Sequence, residues 1–140
     1  MDDKQVSDKK KDKEKYEILL VDDDEFLVDM YCLKFSQAGH KIFSTQSTES
    51  AIEKLQEEGY KPDAVVFDLV MPKMDGFELL KQMKEKGLAK DAALIVLSNQ
   101  GEKEDLKRAK DLGAIGHIVK ANAIPSEVLG IVEGIISKRK

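Results

Sequence analysis

The sequence predicts an α/β domain: a five-stranded parallel sheet in the order 2-1-3-4-5, flanked by five helices. Three observations predict it. Short apolar runs alternate with stretches of helical period along the chain after residue 16, the mark of β-α units rather than hairpins. The central run, Ala64 to Phe67, is apolar without interruption, as a strand covered on both faces should be. Polar residues recur where the strands end, which is where open parallel sheets gather their chemistry. Right-handed crossovers leave few connections, and 2-1-3-4-5 is one of the two common orders.

The elements follow in order. Glu17–Val21 is a short apolar strand that runs into Asp22-Asp23-Asp24. Glu25–Ala38 has apolar residues at Phe26, Leu27, Met30, Tyr31, Leu33 and Phe35, a helical spacing, with Asp24 as cap and Gly39 as stop. Lys41–Thr45 is a less apolar strand suited to the sheet edge. Ser47 or Thr48 can cap a second helix, which runs to about Glu58 and buries Ala51, Ile52 and Leu55 before Gly59 ends it. The third strand ends at Asp68, and Pro72 and Asp75-Gly76 impose a loop before the third helix, Phe77 to about Lys86. Ala92–Leu97 is the fourth strand, followed by Ser98-Asn99-Gln100-Gly101. Glu102–Leu112 is a heavily charged fourth helix stopped by Gly113. Gly116–Val119 is the fifth strand, ending at Lys120. Pro125 suits a first helical turn, and the last helix runs from there towards Ser137. The basic end, Lys138-Arg139-Lys140, complements its dipole.

Composition narrows the function. One domain fits within 140 residues. Residues 1–16 carry six lysines and five acids with almost nothing to bury, and are expected to form a disordered, charged leader ahead of a domain at 17–140. They have neither the apolar core of a signal peptide nor the Arg/Ser bias of a transit peptide. The remainder is net acidic, against a nucleic-acid binder, and no apolar run has the length of a membrane span. Cys32 stands alone in a helical pattern, so no intrachain disulfide forms, and a cytoplasmic setting fits.

The strand ends carry the chemistry: Asp22 and Asp23 after the first, Asp68 after the third, Ser98 after the fourth and Lys120 after the fifth. Singly, each has a plain account as a turn, cap or surface residue. On one rim of one sheet they converge. Carboxylates that close are costly unless a cation neutralises them, and all-oxygen ligation selects Mg²⁺ or Mn²⁺. With an ammonium opposite, such a site cradles a phosphoryl group, and Asp68 becomes an oxygen nucleophile for phosphorus.

As a set, Leu-Val-Asp-Asp-Asp, Phe-Asp-Leu-Val-Met-Pro-Lys-Met-Asp-Gly, Leu-Ser and Val-Lys resemble the receiver domain of two-component response regulators, a flavodoxin-like fold typified by chemotaxis regulators. The resemblance covers about Glu17 to Ser137. It implies that Asp68 takes a phosphoryl group from a sensor histidine kinase or phosphotransfer protein. It implies that Asp22, Asp23, Asp68 and the backbone carbonyl of Val70 hold Mg²⁺, that Ser98 bonds the phosphoryl group and that Lys120 is the conserved-role lysine. A downstream protein would read the fourth helix–fifth strand–fifth helix face. Two positions depart from the family pattern. His117 replaces an aromatic three residues before the lysine, and is expected to be a partly exposed packing residue. Ala121 replaces a proline, so that the Lys120–Ala121 peptide is expected to be trans or strained.

The resulting expectation is a single-domain response regulator with no DNA-binding segment, which assists its own phosphoryl chemistry without being an enzyme in the ordinary sense. Alternatives are a receiver-fold scaffold that ignores phosphorylation and an intermediate of a phosphorelay. An aspartyl-nucleophile phosphohydrolase of the haloacid-dehalogenase class would have a second acid where this chain has Val70. A flavin-binding reading finds no phosphate loop after the first strand.

Overall fold

The computed structural model describes residues 16–71, 75–99 and 103–139. Its elements are β1 (Glu17–Val21), α1 (Glu25–Gln37), β2 (Lys41–Thr45), α2 (Thr48–Leu55), β3 (Ala64–Phe67), α3 (Gly76–Lys86), β4 (Ala93–Ser98), α4 (Lys103–Asp111), β5 (Gly116–Val119) and α5 (Pro125–Arg139), with a 3₁₀ turn at Lys120–Asn122. The strands form one sheet in the order β2-β1-β3-β4-β5, every pairing parallel. The fold is the predicted one. Apart from Tyr16, the charged leader lies outside the described residues, as do Pro72, Gln100, Gly101 and Lys140.

Alternation along the strands divides the interior in two. Leu19, Val21, Val65, Phe67 and Val96 pack with Ala51, Leu55, Leu79, Leu80 and Met83 from α2 and α3. Ile18, Leu20, Val66, Ile95, Leu97 and Ile118 pack on the other face with Val28, Tyr31 and Phe35 of α1 and Val128, Val132 and Ile136 of α5. β3 is buried throughout because it contributes to both cores. β2 alternates exposed and half-buried residues up to buried Thr45, as an edge strand does.

Local chemistry sets the helix ends. Asp24 caps α1, its Oδ1 accepting from Leu27 N–H at 3.2 Å. Ser47, not Thr48, caps α2 by accepting from Ser50 N–H at 3.1 Å. Asp75 caps α3 in the same way through Glu78 N–H. α5 begins at Pro125 as expected. α2 stops at Leu55, short of Glu58, because Glu57 and Tyr60 N–H bond back three residues and tighten the turn out of α geometry. β4 begins at Ala93 and includes Ser98, one residue later than expected, since Ala92 N–H is engaged in a turn with Ala89. Lys120–Ala121 is trans, there being no cis peptide among the described residues.

The apolar spacing of α1 is helical, but its burial differs from its composition. Phe26 and Leu33 are 72% and 62% exposed, while Val28, Tyr31 and Phe35 form the buried stripe. Cys32 is half-buried at the margin of that core. Tyr16 continues the sheet by one residue: its carbonyl accepts from Lys41 N–H, and its N–H donates to Nδ1 of buried His40 at 2.9 Å. His40 Nε2 lies 2.7 Å from Glu133 Oε2 on α5, joining the α1–β2 corner to the last helix.

Candidate phosphoryl and metal site

The carboxyl ends of β1, β3, β4 and β5 open into a cleft of about 650 Å³, whose lining includes Asp23, Asp68, Val70, Ser98 and Lys120. Parallel pairing brings these residues to one rim although they are far apart in sequence. Asp22 directly follows β1 and is fully buried; its N–H donates to Thr45 O, which fixes the chain as it leaves the sheet. Asp68 follows β3, with its N–H held by Val21 O. Ser98 is the last residue of β4 and is 2% exposed. Lys120 opens the 3₁₀ turn after β5, which sends its side chain back over the sheet.

One oxygen from each of Asp22, Asp23 and Asp68 lies within 4.8 Å of the others. The Lys120 ammonium is 2.5 Å from Asp22 Oδ2 and 2.9 Å from Asp68 Oδ2. Asp68 Oδ1 accepts from Val70 N–H at 3.0 Å, so both oxygens of this carboxylate are oriented. Asp22 Oδ1 accepts from Asp24 N–H at 3.0 Å. Asp22 Oδ2, though close to Lys120, is buried without a well-directed hydrogen bond.

The electrostatics agree with the geometry. Burial raises the Asp22 carboxyl above its ordinary pKa, and Lys120 and the Asp24 N–H only partly offset that cost. For Lys120, burial favours loss of the proton, but hydrogen bonds and charge from Asp22 and Asp68 outweigh it and hold the ammonium above the usual lysine value. Three carboxylates against one ammonium leave an excess of negative charge. An under-coordinated buried oxygen, two further carboxylates within reach and a purely oxygen donor set fit a hard divalent cation.

The loop carrying Asp68 is pinned from behind by Gly76. Gly76 N–H donates to Leu69 O at 3.0 Å, and a Cβ at Gly76 would lie 2.5 Å from the Asp68 carbonyl oxygen and 2.9 Å from Leu69 Cα. The Asp75-Gly76 pair thus caps α3 and lets its first turn close against the Asp68 backbone. Val70 stands at the cleft mouth, 78% exposed.

Every described residue predicted for the site borders this cleft or, in the case of Asp22, lies buried beneath it. Two further residues were not legible as neighbours. Asp105, in the first turn of α4, also lines the cleft. His117 Nε2 lies 3.3 Å from Ser98 Oγ, a contact made by adjacent strands and by no sequence motif.

Comparison with known proteins bears on this geometry. A family model described as the response regulator receiver domain matches residues 18–129. The alkaline phosphatase synthesis transcriptional regulatory protein PhoP of Bacillus subtilis is 31% identical over 86% of this chain and 48% of its own length. The phosphate regulon transcriptional regulatory protein PhoB of Escherichia coli is 26% identical, over 86% of this chain and 52% of its own. The chain therefore spans about half the length of these curated relatives. Among solved structures, Vibrio cholerae chemotaxis protein CheY4 is 25% identical with a TM-score of 0.78, the match covering 86% of this chain and 98% of that one. The phosphorylated cyanobacterial phytochrome response regulator RcpA is 26% identical with a TM-score of 0.73, the match covering 86% and 91%.

Proposed function

We propose, from the premise that this chain belongs to the response regulator receiver domain family, that Asp68 accepts a phosphoryl group and that the domain passes the change on to a protein partner. One observation carries the reading: the oxygens of Asp22, Asp23 and Asp68 converge within 4.8 Å while the Lys120 ammonium reaches Asp68. The donor is a sensor histidine kinase or a phosphotransfer protein. A carboxylate oxygen of Asp68 attacks phosphorus, the N–P bond to the donor imidazole breaks with its electron pair staying on nitrogen, and an acyl phosphate forms.

Asp22, Asp23, Asp68 and the backbone carbonyl of Val70 would hold Mg²⁺, or Mn²⁺ in its place. When bound, that ion neutralises phosphoryl oxygens as charge moves onto them. Lys120 orients the Asp68 carboxylate and faces the incoming negative charge. Ser98 supplies a hydroxyl donor at the same rim, and buried donors of this kind gain strength from the low local dielectric. The domain acts on its own side chain, with no separate substrate to turn over. A donor phosphorylated at the expense of ATP makes the cytoplasm the matching compartment.

The output face is that of α4, β5 and α5. α4 buries only Ala109 among its nine residues, and α5 leaves Ile124, just before it, and Ile131 exposed. A helix so lightly held is suited to shift when charge is added at the cleft.

Intact mass after incubation with acetyl phosphate and Mg²⁺ tests the reading. A gain of about 80 Da, lost with EDTA and absent in Asp68→Asn, is the expected result. No gain in a sample that binds Mg²⁺, with acetyl phosphate and with a histidine kinase alike, would favour a scaffold that works without phosphorylation.

A further inference from the structure

We propose that the outward face of α1 pairs with the same face of a second copy of this chain, the two helices running parallel. The inference stands apart from the phosphoryl reading of Asp68 and concerns a surface that reading leaves unused.

The surface begins with spacing. Phe26, Met30, Leu33 and Gln37 recur at intervals of four, three and four along α1, so they form one stripe. Val28, Tyr31 and Phe35 form the buried stripe on the opposite side, in the core that the sheet shares with α1 and α5. The domain does not cover the outward stripe: Phe26 and Leu33 are exposed, and Met30 between them is only half-buried. A surface helix ordinarily carries polar residues on that side. Three bulky apolar side chains in a row facing water mark an interaction site instead.

The borders of the stripe identify its occupant. Alternating intervals of four and three are those of a two-stranded coiled-coil seam, with Phe26 and Leu33 at one kind of seam position and Met30 at the other. Asp29 immediately precedes Met30, and Lys34 immediately follows Leu33, so an acid lies on one border and a base on the other. Asp29 is exposed and Lys34 half-buried. In a parallel pair in register, a residue on one border lies across from the residue five further along on the other border of the neighbouring helix. Asp29 then meets Lys34 of the partner subunit, and Lys34 meets the partner's Asp29. One contact implies the other, as two-fold symmetry requires. An antiparallel pair would set each border against the same border of its neighbour, and acid and base would not meet. α1 is therefore complementary to itself in the parallel sense, both in its apolar row and in its charges.

Size sets the strength. The 13 residues of α1 make about 20 Å of helix, less than a standard interface needs. Asp23, Asp24 and Glu25 of the two subunits also approach one another at the N-terminal end, which costs affinity. Pairing is thus weak and depends on concentration. Because α1 starts beside Asp22 and Asp23, the parallel arrangement leaves both clefts at the same end of the pair.

Sedimentation equilibrium of the full chain tests this at low ionic strength, from about 10 μM to about 1 mM, the range in which a weak pair forms. The wild-type weight-average mass should climb from that of a monomer towards twice that value. Phe26→Glu and Leu33→Glu, at exposed positions, should stay monomeric. Asp29→Lys and Lys34→Asp each bring like charges together across a parallel pair, and each should weaken association about fivefold. The double exchange, Asp29→Lys with Lys34→Asp, restores both ion pairs and should recover wild-type association to within about twofold. A thermal melt followed by circular dichroism checks that each variant is folded. A wild type that is monomeric at the highest concentration would overturn the proposal and leave the stripe to a different protein partner. Association unaffected by Phe26→Glu would overturn it by placing the contact on another face. Single charge variants that associate like the wild type, or a double exchange that fails to recover, would overturn the parallel arrangement and the proposal with it.

Discussion

At the scale of single residues, the cleft is a place where charge has been concentrated at a cost. Asp22 is fully buried with a raised pKa, and its Oδ2 lacks a well-directed donor. A cation that satisfies it stabilises the folded chain by mass action, by about 2.7 kcal/mol at a hundredfold excess over Kd. Thermal unfolding followed against Mg²⁺ concentration should therefore show a rising midpoint in the wild type and little response in Asp22→Asn or Asp68→Asn. Val70 tests a different property. Its exposed apolar side chain stands at the mouth of the cleft, where an attacking water must approach. Val70→Asn, which can orient that water, should shorten the acyl-phosphate half-life several-fold, read as the decay of the 80 Da mass gain over time. An unchanged half-life would remove Val70 from the control of lifetime. Residues of this kind were legible because strand ends mark themselves: an apolar run stops and an acid or hydroxyl follows. The Ser98–His117 contact and the place of Asp105 were not legible, since each depends on how two elements are set side by side.

At the scale of elements, glycines of two kinds predict opposite outcomes. Gly76 opens α3 against the backbone of Asp68 and Leu69, where a Cβ would stand 2.5 Å from a carbonyl oxygen. Gly76→Ala should destabilise the fold by roughly 1–3 kcal/mol, as overpacking does, and slow phosphorylation by displacing Asp68. Gly130 and Gly134 lie within α5 with nothing within 4 Å of a built Cβ. Replacing either by Ala should stabilise the chain by about 0.8–1 kcal/mol, the ordinary helix-propensity difference, as read by denaturant unfolding. α1 shows where sequence periodicity misleads. Six apolar residues cover most of its circumference, so the spacing identifies a helix without choosing a face. Packing against the sheet and α5 makes the choice, burying Val28, Tyr31 and Phe35 and leaving Phe26 and Leu33 outside. α2 ends early for a related reason: hydrogen bonding in its last turn, which composition does not encode, tightens after Leu55.

At the scale of the whole molecule, the sheet separates two cores, and the helices packed on them are held with unequal firmness. α1 and α5 each bury three apolar residues on one face, whereas α4 buries Ala109 alone. Native-state hydrogen exchange should accordingly find α4 the least protected helix, opening well below the global unfolding free energy, and β1 and β3 the most protected elements. Equal protection across all five helices would contradict the assignment of α4 as the yielding element. The architecture was legible almost completely, because a strand buried on both faces can be little other than an unbroken apolar run and parallel strands require the intervening helices. What joins distant parts was less so. His40 ties Tyr16 at the start of the sheet to Glu133 on the last helix through both nitrogens of one ring. That clasp draws the two ends of the fold together: the beginning of β1 and the middle of α5 share one histidine as neighbour. A linker from α5 back to Tyr16 would join elements that His40 already ties together, and the exposed turn at Gly59 offers a place to open the chain. The order of elements along the chain and their order in space are thus separable properties, and the same cleft can be reached from a differently begun polypeptide.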